Sequence, residues 1–306
     1  MLEEEVGAIE TAVRSFGYEV VRLGDIRGCL QFMSSERSVD FVFNMAEGIH
    51  GRSREAQIPC LLEAFWIPYT FSDPLTLSVC LDKSFAKRIW QSYGLPTPEF
   101  LVVSDLARFK EESLFRFEYP LFVKPVSEGT SKGINEESIV VSFNELVHRI
   151  EWILMHYDQP AIIEEYLPGR EFTIGVLGNG ATARTLGAVE ISMIDPFSKV
   201  YGYQQKEECE TRVTYSPVKD PSLLADLSRL AMDAYTIVGC HDAGRVDVRI
   251  SKSGEPQLLE LNPLPGLHPT HSDLPIIATQ VGMSYRDLIG EIIDSFWDRI
   301  SPKFCG

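Results

Sequence analysis

The sequence has 306 residues, of which 44% are apolar and 24% are charged, which is an ordinary globular composition and enough chain for about two domains. Its formal net charge of −16 argues against a nucleic acid or an anionic membrane surface as the main partner. The sequence contains no long apolar run, no basic N-terminal signal and no C-x-x-C pair. These features predict a cytoplasmic protein with reduced cysteines.

The first hundred residues alternate between helical and extended patterns. Helices are predicted over 4–16, 55–65 and 82–93, and strands over 18–23 and 39–44. Such alternation predicts a partly parallel sheet. Gly94 and the sequence Pro96-Thr97-Pro98 end the third helix and begin a second unit.

The rest of the chain is richer in strands. Strands are predicted over 99–103, 120–125, 160–165, 170–178 and 183–191, and helices near 143–156, 221–238 and 284–298. The polar stretch from Ser192 to about Val218 is too long for a plain connector, which favours a functional lid.

Two further strands, GRVDVRI and QLLELN, flank the turn-rich linker SKSGEP and predict an antiparallel hairpin. A turn centred in that linker places Asp247 opposite Glu260. The same register places Arg245 opposite Asn262, and alternation puts all four side chains on one face. Facing carboxylates repel unless a cation lies between them, and such oxygen ligands suit Mg²⁺. The alternative is a solvated face with a cross-strand ion pair.

Four segments are candidates for nucleotide contact. Lys124 ends the apolar strand YPLFVK, where an unpartnered lysine is uncommon. The small residues of loop 128–133 would let backbone N–H groups approach a phosphate, although an ordinary turn is the alternative. Lys83 begins a helix and could contact a phosphate; the alternative is an ordinary surface lysine. A nucleotide base could lie against the end of the strand in IIEEYLPGREF. The alternative is an edge strand with exposed carboxylates.

Together these segments resemble the ATP-grasp superfamily and, within it, the D-alanine–D-alanine ligase family. The resemblance runs from about residue 40 to 298 and is carried by VFNMAEG, IPYTFSDPLTLSVCLDKSFAKRIWQSYGLPTP, YPLFVKPVSEGTSKGI, IIEEYLPGREFTIGVLGN, GRVDVRI and LLELNPLPG. It implies an α/β (α+β ATP-grasp) fold. The implied units are an N-terminal parallel-sheet α/β domain over 1–76 that lacks its usual first strand, a central ATP-grasp lobe over 77–163, and a C-terminal lobe over 164–306 with the metal and catalytic residues.

The resemblance implies an ATP-dependent carboxylate–amine ligase. ATP would phosphorylate a carboxylate, an amine would attack the acylphosphate, and phosphate would leave. The implied cofactors are ATP and Mg²⁺, which Mn²⁺ can replace, and the implied substrates are amino acids or small peptides of peptidoglycan biosynthesis; a homodimer is also implied. The alternatives are a ligase for another amino-acid or peptide pair in specialised metabolism, a carboxylate kinase, and a non-catalytic nucleotide-binding protein.

The resemblance also assigns residues. The implied ATP contacts are Lys83, Lys124, Glu128, Ser131, Glu164, Glu165, Leu167 and Glu171. The implied magnesium ligands are Asp247, Glu260 and Asn262, in agreement with the hairpin. The implied catalytic groups are Arg245, the Gly266 N–H, Ser131, and Lys206 in the predicted lid.

The amino-acid half departs from the family pattern. The glutamate that binds the first substrate should precede the first helix, so either Glu3, Glu4 or Glu5 replaces it in a differently built pocket, or the native start lies upstream. Glu47 stands where the family has histidine, and Glu207 where it has a tyrosine that Tyr201, Tyr203 or Tyr215 would have to replace. The substrate candidates are Glu47, His268, His271 and Ser272. Both glutamates favour a more cationic or larger acceptor and leave D-alanine specificity open.

Overall fold

The structure, a computed structural model, describes residues 3–129, 131–193 and 213–304. Its N-terminal region is built mainly from helices. These are α1 (Glu3–Ser15), α2 (Ile26–Met33), α3 (Gln57–Ala64) and α4 (Pro74–Leu81). Asp25 and Asp73 cap α2 and α4, because their side chains accept hydrogen bonds from the first backbone N–H groups of those helices. The helices predicted over 4–16 and 55–65 are confirmed, and α2 and α4 add to the predicted pattern.

The strands predicted over 18–23 and 39–44 are wrong. In these described residues the strand pairing is a single parallel bridge between Val42 and Tyr69. Apolar side chains of the first segment pack on a core that includes α1 and the C-terminal helices. The alternating apolar side chains of residues 18–23 pack against this core. Because no neighbouring strand among the described residues pairs with the segment, it does not form a sheet. The predicted N-terminal parallel sheet is therefore reduced to one bridge in the part of the chain that the structure describes.

The central region contains a four-stranded antiparallel sheet in the order β1-β4-β2-β3. Its elements are α5 (Lys83–Ser92), β1 (Phe100–Val103), β2 (Leu121–Pro125), β3 (Ile139–Val140), α6 (Phe143–Tyr157) and β4 (Ala161–Glu165). Strand β3 is the one element that the sequence does not predict. Phe122 lies opposite Glu164 in the register, and the period of two therefore brings Lys124 and Glu164 to the same face.

The C-terminal region contains a five-stranded antiparallel sheet in the order β7-β6-β5-β8-β9. Its strands are β5 (Glu171–Leu177), β6 (Arg184–Met193), β7 (Val213–Pro217), β8 (Ala243–Ile250) and β9 (Pro256–Asn262). Helix α7 (Pro221–Ile237) packs on one hydrophobic face, and α8 (Asp273–Gln280) and α9 (Tyr285–Phe304) pack on the other. The predicted lid is bounded by β6 and β7, and its residues 194–212 lie outside the described residues.

The predicted hairpin is confirmed at its functional end. Arg245 pairs with Asn262 and Asp247 with Glu260, as the alternation requires. The register then shifts by one residue after Asp247, at an irregularity of the kind that re-aims side chains near active sites. Among the described residues, no helix is both long and apolar enough to cross a bilayer.

Candidate active site

A cavity lies between the two sheets. Predicted ATP contacts that line it are Lys124, Ser131, Glu164, Glu165, Leu167 and Glu171, together with Asp247 and Glu260 of the hairpin. Ser131 adopts a left-handed φ of 54° in the loop that follows β2. Glu171 forms an ion pair with Arg249 at 3.2 Å across neighbouring strands. The predicted residues thus come together from five strands and two loops around one cavity.

At the floor of this cavity, Glu164 lies between two lysines. Its Oε2 is 2.8 Å from Lys124 Nζ and its Oε1 is 2.9 Å from Lys87 Nζ. Glu164 is 2% exposed and Lys87 is fully buried. Burial opposes ionisation of the carboxyl, but the two lysines outweigh it and lower the pKa of Glu164. Glu164, predicted as an adenine contact, is therefore also the counter-ion that holds Lys124 in place.

Lys87 is a residue that the sequence analysis overlooked. Burial lowers its pKa to about 8, against the opposing effect of Glu164. Its ammonium group also donates to Thr97 Oγ1 at 2.7 Å and to the Leu258 carbonyl at 3.2 Å. The signal was present in the helix KSFAKRIW, where this lysine falls on the apolar face.

The hairpin face gathers charged groups of both signs. Arg245 donates to Asp247 from Nε at 3.1 Å and from Nη2 at 2.9 Å, and its Nη2 is 3.7 Å from Glu260. Lys83 Nζ is 3.2 Å from the other oxygen of Glu260 and donates to the carbonyl of Glu128. Lys83 is buried here, so the surface-lysine interpretation is wrong.

The predicted magnesium ligands lie on one face, and their chemistry fits a hard cation. Asp247 and Glu260 supply carboxylate oxygens, and Asn262 supplies an amide whose buried Nδ2 makes no hydrogen bond. In the structure, Arg245 and Lys83 provide the positive charge beside these carboxylates. The described residues contain no group of three His, Cys, Asp or Glu side chains arranged for a metal, so the magnesium assignment stays a prediction.

Asp273 is a second residue that the sequence analysis overlooked. It is 6% exposed, accepts from Arg245 Nη1 at 2.6 Å and accepts from the Tyr215 hydroxyl at 2.9 Å. Burial would lower the pKa of Arg245, but Asp247, Asp273 and Glu260 outweigh burial and raise it, so the guanidinium stays charged. A sequence signal existed, because an acidic residue after a serine is typical of a helix start.

A second cavity adjoins the first, because Glu260 and Asp273 line both. The predicted residues that line it are Lys83, Glu128, Arg245, Asn262, Gly266, Glu47, His268, His271 and Ser272. A Cβ at Gly266 would lie 2.8 Å from Ser272 Oγ, so a side chain there would displace that hydroxyl. Lys206 and Glu207, predicted in the lid, lie outside the described residues.

Helix α1 contributes carboxylates to the second cavity. Of the three candidate glutamates, Glu5 lines it and accepts from the Leu267 N–H at 2.6 Å. Glu4 lies 3.5 Å from His268 Nε2, whereas Glu3 pairs with Arg22. Glu5 is therefore the one of the three that faces the cavity beside the Gly266 loop. Its role in substrate binding stays a prediction.

Known proteins match most of this chain. A family model described as the C-terminus of D-ala D-ala ligases matches residues 89–294. The y4sG protein of Sinorhizobium fredii is 32% identical to this chain, over 94% of this chain and 85% of its own length. The D-alanine–D-alanine ligase of Marinomonas sp. is 32% identical, over 95% of this chain and 90% of its own length.

A solved structure shows the same fold. The crystal structure of the D-alanine–D-alanine ligase from Bacillus anthracis complexed with ATP superimposes with a TM-score of 0.79. It is 22% identical in sequence, and the match covers 98% of this chain and 94% of that one. At that identity the likeness concerns the fold, including the two antiparallel sheets that enclose the first cavity.

Proposed function

The chain belongs to the D-alanine–D-alanine ligase family of ATP-grasp enzymes and is an ATP-dependent ligase, and from this premise we propose that it joins the carboxylate of one amino acid to the amine of another. The observation that carries the proposal is the position of Arg245. It lines the amino-acid side while its guanidinium contacts Asp247 on the nucleotide side. A single cation at this junction can serve both phosphoryl transfer and amide formation.

In this proposal ATP occupies the first cavity. Its contacts are Lys83, Lys124, Glu128, Ser131, Glu164, Glu165, Leu167 and Glu171. Magnesium, with manganese as a substitute, would be held by Asp247, Glu260 and Asn262 and would neutralise charge on the phosphates. The buried lysines hold the anionic phosphates next to the carboxylate that is to be activated.

Amide formation would take place in the second cavity. The attack of the amine on the acylphosphate places a negative charge on the former carbonyl oxygen. Arg245 and the Gly266 N–H stabilise that oxyanion, and Ser131 and Lys206 assist the transferred phosphoryl group. Acylphosphates react with water, so the proposal includes the exclusion of water by the predicted lid, which runs from Ser192 to about Val218. Glu47, His268, His271 and Ser272 would contact the amino-acid substrates.

D-alanine is the first substrate to consider, because the family relatives are named for it. A different amino-acid pair is the second candidate, because Glu47 lines the cavity where the family has histidine. The proposal also includes a cytoplasmic homodimer that acts in peptidoglycan biosynthesis, and units over 1–76, 77–163 and 164–306. A non-catalytic role is not favoured, since Arg245, Asp247 and Glu260 are all retained.

Coupled ADP release with Mg²⁺ and ATP tests the proposal. We expect ADP release that requires an amino acid, measured across D- and L-amino acids singly and in pairs, with product confirmed by mass spectrometry. Asp247→Asn should lower the rate at least about a hundredfold, because removing one carboxylate weakens metal binding and charge neutralisation. ADP release that is independent of any amino acid, or unchanged in the variant, would contradict the proposed ligase.

Asp273 gives a sharper test of how Arg245 is positioned. Asp273→Asn removes the charge that Arg245 Nη1 contacts at 2.6 Å but keeps the side-chain size. We expect kcat to fall about tenfold while KM for ATP changes less than about threefold, because a charged hydrogen bond that orients the oxyanion donor is lost. Tyr215→Phe removes the other partner of Asp273 and should have a smaller effect of the same kind. A purely structural role would instead change thermal stability and leave kcat as it was.

A further inference from the structure

The second cavity is lined by more carboxylates than cations. Glu47 and Glu55 both line it, and neither side chain forms a hydrogen bond or ion pair with another described residue. The cations of this cavity are Lys83, Arg245 and the exposed Lys132. Lys83 is already paired with Glu260, and Arg245 with Asp273. The wall near the N-terminal region is therefore unbalanced toward negative charge.

The loop that carries the two carboxylates is held in place by its basic residues. Arg54 donates to the Ser127 carbonyl at 2.8 Å, and Arg52 is 2.8 Å from Asp82. Gly48 has a left-handed φ of 68°, and a Cβ there would lie 2.3 Å from the Arg54 carbonyl oxygen. Both arginines are thus engaged with the central region, while Glu55 faces the cavity.

The surroundings of Glu55 would favour a positively charged neighbour. Burial raises its pKa to about 7; nearby Arg54 and Lys83 lower that pKa, and Glu47 and Glu260 raise it. A cation bound beside Glu55 would favour its ionised form.

A second, independent feature of the same cavity also indicates a polar ligand. His268 is 3% exposed and lines the cavity, and its Nδ1 is 2.9 Å from His271 Nδ1. Its Nε2 is buried and makes no hydrogen bond, although Glu4 Oε2 lies 3.5 Å away. Buried ring nitrogens are nearly always hydrogen-bonded, so this atom lacks a partner that a bound substrate would supply.

We infer that one amino-acid substrate of this ligase carries a positively charged side chain, as ornithine and lysine do, and that Glu47 and Glu55 bind that charge. The inference rests on the proposed function, because the cavity is assigned to the amino-acid substrates. The attacking amine must be neutral when it forms the amide, so its own charge cannot match these carboxylates at that step. The α-ammonium of the other substrate has a separate candidate partner in Glu5, which lines the same cavity, and this leaves Glu47 and Glu55 for a side-chain cation.

Binding measurements test the inference separately from turnover. The full chain is titrated calorimetrically, with Mg²⁺ and a non-hydrolysable ATP analogue present, with both enantiomers of ornithine and lysine and of their neutral counterparts norvaline and norleucine. We expect at least one cationic amino acid to bind about tenfold more tightly than its neutral counterpart. Glu47→Gln and Glu55→Gln should each abolish most of that difference and leave the neutral amino acids unaffected.

Glu151→Gln is the matched control, because it removes an exposed carboxylate from α6, outside the cavity, with the same change in net charge. Equal affinities for cationic and neutral probes, or equal losses in the control variant, would overturn the inference, as would a failure of every cationic probe to bind. Ligation of neutral amino acids without preference would overturn the inference and leave the proposed function intact. Cation binding that depends on Glu47 and Glu55, with no ADP release from any pair, would contradict the proposed function alone.

Discussion

Replacing Arg245 by lysine should lower kcat for ATP-dependent ligation by about 10²–10³-fold, the usual effect of losing one donor to a developing oxyanion. The guanidinium contacts Asp247 through two nitrogens and Asp273 through a third. A lysine keeps the positive charge among these carboxylates, so the variant should fold. It loses the planar fork that fixes the direction of the donors, because an ammonium group is a point charge on a flexible stem.

The measurement is steady-state ADP release with whichever amino acids support turnover, together with KM for ATP. KM for ATP should change less than about fivefold, since the buried contacts of Lys124 and Glu164 are untouched. Arg170→Lys is the control, because Arg170 forms an exposed pair with Glu190, outside both cavities. A variant that kept wild-type kcat would show that Arg245 serves only as a counter-ion for the hairpin carboxylates.

The hairpin was open to prediction because its information is local. The relative positions of Arg245, Asp247 and Glu260 follow from the two-residue alternation of a strand and from the position of one turn. Both features can be recognised within a short stretch of sequence. The register shift after Asp247 could not be predicted from the sequence, because it depends on how β8 packs between β5 and β9. The functional pairs lie before the shift, so the predicted pairing of Arg245 and Asp247 is unaffected by it.

The contacts that the sequence did not disclose join elements far apart in the chain. Asp273 reaches Arg245 from a helix start, and Lys87 reaches Glu164 from another helix, so no local period encodes either pair. The prediction of strands over 18–23 and 39–44 was wrong for a related reason. Alternation over 18–23 signals a segment with one buried side, and a sheet also needs a neighbouring strand, which the pattern cannot supply.

Replacing Glu164 by glutamine should lower the free energy of unfolding by about 3–5 kcal/mol, because two buried ammonium groups then face each other without a carboxylate. Lys87 and Lys124 both lie within 3 Å of Glu164 in the native protein. Glutamine preserves the size of the side chain, so the loss would report charge rather than packing. Urea unfolding of the ligand-free protein measures it, and Glu165→Gln, on the exposed neighbouring position, is the control.

The pH dependence of that variant distinguishes lost pairing from a cavity. In the native protein the pKa of Lys87 is about 8, below its ordinary value of 10.5. Without Glu164 the pKa of Lys87 should fall further. The unfolded variant then binds more protons than the folded variant over a wider pH range. Within that range the stability of the variant rises with pH. Well below pH 8, Lys87 is protonated in both the folded and the unfolded wild-type protein, so it adds no pH dependence to wild-type stability there. A variant whose stability deficit is the same from pH 6 to pH 8 would indicate a packing defect instead.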